Sequence, residues 1–107
     1  MMVERKITFY NKTAINVQAQ VYAGRTLVST CVADPGETCF MSAKSLRYDV
    51  FFKNAATGWE IARKLDSDTK DFALSQDNGR YTIHEADSDD RIASGAEAGA
   101  NAAEVVN

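Results

Sequence analysis

The chain has 107 residues, with 45% hydrophobic and 25% charged side chains, which fits one small globular domain and argues against a wholly disordered chain. Twelve basic residues against fifteen acidic ones give a net charge of −3, which argues against nucleic-acid binding driven by a basic surface. No apolar run approaches the roughly 18 residues that would span a bilayer.

The first strand signal is Ile7 and Phe9 alternating with Thr8 and Tyr10, and Asn11-Lys12-Thr13 forms the turn after it. Next comes the clearest strand of the chain. Ile15, Val17, Ala19 and Val21 alternate with Asn16, Gln18 and Gln20, the period of two that marks one buried and one wet face. Ala23-Gly24 leads into Thr26 to Val32, rich in β-branched residues. A Pro35-Gly36 turn and a short strand over Glu37 to Met41 follow, with at most one helical turn around Ser42 to Leu46.

Leu46, Tyr48, Val50 and Phe52 then alternate with Arg47, Asp49, Phe51 and Lys53. After a loop over Asn54 to Gly58, Trp59, Ile61 and Leu65 are expected on one face. Phe72 and Leu74 alternate next, and Asp77-Asn78-Gly79-Arg80 is the strongest turn signal, since Asn-Gly suits a type I′ hairpin. That turn sets Leu74 opposite Ile83 and Ser75 opposite Thr82.

About eight short strands with short connections predict an all-β fold, an antiparallel β-sandwich or small barrel. The expected core is Ile7, Phe9, Ile15, Val17, Val21, Leu46, Tyr48, Val50, Phe52, Trp59, Ile61, Phe72, Leu74, Tyr81 and Ile83. Composition changes near residue 86. The last 22 residues carry one basic and five acidic side chains, seven alanines and no aromatic residue. The domain is therefore assigned to residues 1–86, followed by an acidic, Ala- and Gly-rich flexible tail over 87–107.

Cys31 and Cys39 are too few for a disulfide-built scaffold, and with His84, the single histidine, they do not complete a four-ligand zinc site. They read as two small buried hydrophobes, or as a disulfide if their flanks pair as a hairpin with an odd-numbered loop. His84 reads as a solvated surface residue. No nucleophile elbow or phosphate loop is present, so an enzyme is not expected and no catalytic residue is assigned. The acidic run from Asp66 to Asp71 fails the EF-hand pattern, with Lys70 at a ligand position and Asp71 where glycine is required. No metal ligand and no cofactor are assigned.

Exposed aromatic residues are the one positive hint. By alternation Tyr10, Tyr22 and Phe51 point away from the core, where aromatic rings can stack on sugars, enter a lipid interface or dock a protein. Asn11-Lys12-Thr13 is formally a glycosylation sequon but is read as a turn. The opening Ile7-Thr8-Phe9-Tyr10-Asn11 strand and the Pro35-Gly36 turn are faintly similar to the aegerolysin-type lipid-binding sandwiches, a resemblance that implies lipid as a ligand to test.

The function expected from the sequence is a non-catalytic β-sandwich binding module for a protein, lipid or glycan partner. The alternatives are a self-associating assembly protein and, behind it, a small carboxylate-based enzyme. A monomer or weak homo-oligomer is expected. The N-terminal residues show no apolar signal region, which suggests a cytoplasmic location, with secretion by another route as the alternative.

Overall fold

The computed structural model describes residues 4–86. The expected tail over 87–107 lies outside the described residues. The chain forms eight strands: β1 (Arg5–Lys12), β2 (Val17–Ala23), β3 (Thr26–Ala33), β4 (Thr38–Ala43), β5 (Tyr48–Asn54), β6 (Glu60–Ser67), β7 (Asp71–Asp77) and β8 (Arg80–Ala86). They make two four-stranded sheets, β4-β1-β7-β8 and β3-β2-β5-β6, packed as a sandwich.

Period-two alternation explains the layering. Ile7 and Phe9 of β1 and Phe72 and Leu74 of β7 face Val17, Ala19 and Val21 of β2 and Val50 and Phe52 of β5, all buried. The Phe52 ring bridges the layers, 5.0 Å from the Phe9 centroid and 6.2 Å from that of Phe72. The Asn-Gly hairpin forms as expected, with Asn78 and Gly79 both at positive φ, Leu74 opposite Ile83 and Ser75 opposite Thr82.

Three expectations are corrected. All neighbouring strands were expected to be antiparallel, yet β1 and β7 pair in parallel, with Phe9 beside Phe72. A crossover helix is needed only when consecutive strands run parallel, whereas five strands separate these two. Leu46 and Trp59 were assigned to the core, and each is 77% exposed. Leu46 precedes the first residue of β5 by two positions and Trp59 precedes β6, so alternation was extended past the strand ends. Residues 44–47 form bends and not a helical turn.

The cysteines are joined, but not across a hairpin. Strand β3 pairs with β2 and β4 with β1, so the Cys31–Cys39 disulfide links the edge strand of one sheet to the edge strand of the other. Beside it the Ser42 amide donates to Ser29 Oγ at 3.1 Å. The opposite open side is closed by Glu85, which accepts from Ser67 Oγ at 3.0 Å and pairs with Lys64 at 3.4 Å. Both mouths of the sandwich are thus tied, leaving the two outer sheet faces as the broad exposed surfaces.

Candidate functional site

The outer face of β3-β2-β5-β6 carries the residues that alternate with the core. Gln18, Gln20 and Tyr22 of β2 lie beside Lys53, Phe51 and Asp49 of β5, pair by pair. On the far side of β5, Arg63 of β6 stands opposite Phe51 and Glu60 opposite Lys53. Irregularities in the β5–β6 and β2–β3 ladders, the latter between Val21 and Tyr22, break the flatness of this sheet.

The result is a shallow, open depression of about 400 Å³, within the roughly 300–1,000 Å³ typical of small-molecule sites. Tyr22 and Phe51 form its aromatic part, with centroids 5.3 Å apart in an edge-to-face arrangement. The Arg63 guanidinium lies 5.2 Å from the Phe51 centroid and is held there by two contacts to the Glu60 carboxylate, at 2.5 and 3.0 Å. Asp49 is fixed by the Asp66 amide, which donates to its Oδ1 at 2.8 Å. Gly24 and Arg25, in the β2–β3 turn, and Lys53 complete the rim.

Gln20 sits among these side chains and is only 8% exposed, yet its Oε1 has no hydrogen-bond partner. A buried amide acceptor left unmade costs about 1–3 kcal/mol, so this atom is expensive in the free protein.

Of the three aromatic residues singled out from the sequence, the structure brings Tyr22 and Phe51 together and leaves Tyr10 apart. Tyr10 lies on the outer face of the other sheet, 41% exposed, with Lys12 Nζ 5.9 Å from its ring. Gln20, Arg25, Asp49, Lys53, Glu60 and Arg63 were not singled out. The signal for Gln20 was present, since it alternates in step with Tyr22, but its pairing with Phe51 depends on the non-local β2–β5 ladder.

His84 and Ser75 lie on that second outer face, with Ser75 Oγ and His84 Nε2 2.9 Å apart. Burial, and then the charge of Lys12, lower the His84 pKa below its usual value. The folded chain therefore holds fewer protons on His84 than the unfolded chain, and stability rises with pH. The contribution is complete above the unfolded value near 6.5 and is lost as pH falls through that value towards the lower folded one. Thermal melts are expected to fall more steeply between about pH 7.5 and pH 5.5 in the wild type than in His84→Gln. Parallel curves would contradict this assignment.

Among the described residues, no group of three or more His, Cys, Asp or Glu side chains could hold a metal ion. Asp66 and Asp68 of the acidic run are both engaged by Arg47, at 2.7 and 3.6 Å. No helix among the described residues is long and apolar enough to cross a membrane. No protein-family model matches the chain, and no curated protein matches it in sequence.

Proposed function

We propose that the protein is a non-catalytic binding module that engages its ligand at the depression on the outer face of β3-β2-β5-β6. The observation that carries this reading is the depression itself, in which the Tyr22–Phe51 ring pair lies among the charged side chains of Arg25, Asp49, Lys53 and Glu60.

The test is an amide NMR map of the labelled full chain, titrated with phosphatidylcholine/phosphatidylglycerol vesicles and with small oligosaccharides. At least one probe is expected to perturb Gln20, Tyr22, Phe51 and Lys53 together. Perturbation confined to the face around Tyr10, or none with any probe, would overturn the reading.

Self-association is the second reading, and it has its own support. Val28 and Val32 on β3 and Phe40 on β4 are 44%, 53% and 53% exposed on two adjacent edge strands. Sedimentation at high micromolar concentration separates the two. A single monomeric species removes self-association, and a concentration-dependent dimer that Val32→Lys abolishes would establish it.

On compartment, the Cys31–Cys39 bond favours an oxidising environment, and we propose that the protein works in one.

A further inference from the structure

From the four sheet edges we infer that β3 is a self-recognition strand, whose outer edge pairs antiparallel with β3 of a second copy of this chain about a two-fold axis. This inference rests on the self-association reading above and deepens it by naming the strand and the geometry.

An edge strand offers a row of backbone donors and acceptors to any other strand, and monomeric proteins guard such edges with charge, bulges or cover. Among the described residues the sheets end in β3 and β6 on one layer and in β4 and β8 on the other. Three of these edges are guarded. Strand β6 carries Glu60, Arg63, Lys64 and Asp66, and β8 carries Arg80 and Glu85. Lys64 and Glu85 also meet at 3.4 Å across the mouth between the sheets. On β4, Lys6 Nζ stands 4.2 Å from the Phe40 centroid, and the Ser42 amide already donates to Ser29 Oγ.

Strand β3 is the exception. It has eight residues and no charged side chain, and Leu27, Val28 and Val32 are exposed on it. Its one irregularity falls at Val28 and leaves Ser29 to Ala33 in unbroken register with β2. That segment is about the usual length of a strand. Cys31, at its middle, is bonded to Cys39 of β4, so the edge is held in place before any partner arrives.

The same features select the occupant. An uncharged edge is matched at the lowest desolvation cost by an uncharged strand, and β3 is itself such a strand with its outer edge open. Antiparallel pairing about a two-fold is self-complementary, because each copy offers the other the same donors and acceptors. It places the two Val32 side chains on the same face of the joined sheet, where they cover each other's surroundings. Both Tyr22–Phe51 depressions then open on one side of that sheet, since the two-fold stands perpendicular to it.

The full chain is followed by sedimentation velocity from low micromolar to near-millimolar concentration, and by isotope-filtered NMR on a mixture of labelled and unlabelled chain. A dimer is expected to form as concentration rises, with intermolecular contacts confined to β3. Val32→Lys is expected to weaken it roughly tenfold or more, because the two-fold brings two like charges together. Leu65→Lys, at a comparably exposed position on β6, is expected to leave the dimer unchanged. Both variants should keep the wild-type melting temperature, since both side chains are exposed.

A single monomeric species at every concentration would overturn the inference and the self-association reading together. A dimer with contacts at Phe40 or at the Tyr22–Phe51 face, or one that Leu65→Lys weakens as much as Val32→Lys, would overturn the β3 edge and leave self-association standing. A chain that stays monomeric while an added Thr-Val repeat peptide shifts the β3 amides would assign the edge to a strand of another protein and overturn the second copy.

Discussion

Replacing Asn11 by Ala is expected to cost about 3–4 kcal/mol, a large share of the roughly 5–15 kcal/mol that holds a domain of this kind together. Asn11 is completely buried and its side chain makes four hydrogen bonds. Nδ2 donates to the Ile15 and Ala33 carbonyls, each at 2.8 Å. Oδ1 accepts from the Thr13 amide at 2.9 Å and from the Thr13 hydroxyl at 2.7 Å. Its backbone adds two more, donating to the Glu37 carbonyl at 2.9 Å and accepting from the Gly36 amide at 2.8 Å. One residue thus ties the β1–β2 connection to the end of β3 and to the Pro35-Gly36 turn. The substitution keeps the backbone bonds and the Thr13 hydroxyl still reaches the Ile15 carbonyl, but the Ala33 carbonyl and the Thr13 amide lose their bonds to the side chain. Urea unfolding should show a lower midpoint with an unchanged slope, and the melting temperature should fall by at least about 12 °C. Asn11→Asp should be no better, because it turns an acceptor towards two carbonyls and buries a charge. A loss under about 1 kcal/mol in Asn11→Ala would show that the network is dispensable. The same burial means that the sequon at Asn11 cannot carry a glycan in the folded protein, since Nδ2 is already committed to two carbonyls.

The second large effect is expected at the disulfide. Converting Cys31 and Cys39 together to Ala should cost about 2–3 kcal/mol, the value for closing so short a loop in the unfolded chain. The corresponding fall in melting temperature is roughly 10–20 °C. The bond joins two edge strands that share no ladder, so without it the β3–β4 side of the sandwich depends on packing, on the Ser42 to Ser29 hydrogen bond and on the Asn11 contacts at the end of β3. Reductant should lower the melting temperature of the wild type by a similar amount and leave the double variant unchanged. Equal melting temperatures for all four samples would contradict a structural role for the bond.

What could be read from the sequence followed the range of the physics. Val17 to Val21 and the Asn78-Gly79 turn are local patterns, set by alternation and by positive φ, whereas Ile15, expected in the same strand and core, lies before β2 and is only partly buried. Both strands around that turn have the expected register. Leu46 and Trp59 mark where the same rule fails, because alternation holds only while the residue belongs to a strand. Ile61, Tyr81 and Ile83, expected in the core, pack against it only in part, since β6 and β8 are edge strands. The parallel β1–β7 pair and the meeting of Cys31 with Cys39 across the two sheets depend on which sheet each strand joins. No window of a few residues encodes that choice.

The site divides in the same way. Tyr22 and Phe51 could be placed on outer faces from their own strands, but their contact requires the β2–β5 ladder. Tyr10 satisfied the same local rule and belongs to the other sheet. The unsatisfied oxygen of Gln20 has no sequence signature at all, because a glutamine on a polar face is ordinarily solvated. Only the three-dimensional neighbours make it buried.

The most direct test of that site is the backbone amide of Phe51, whose NMR signal can be followed in the labelled full chain during titration with phosphatidylcholine/phosphatidylglycerol vesicles and with small oligosaccharides. The account predicts that with at least one probe this signal moves together with those of Gln20, Tyr22 and Lys53, at the same midpoint. Shifts confined to the face around Tyr10, with these four signals unmoved, would contradict it.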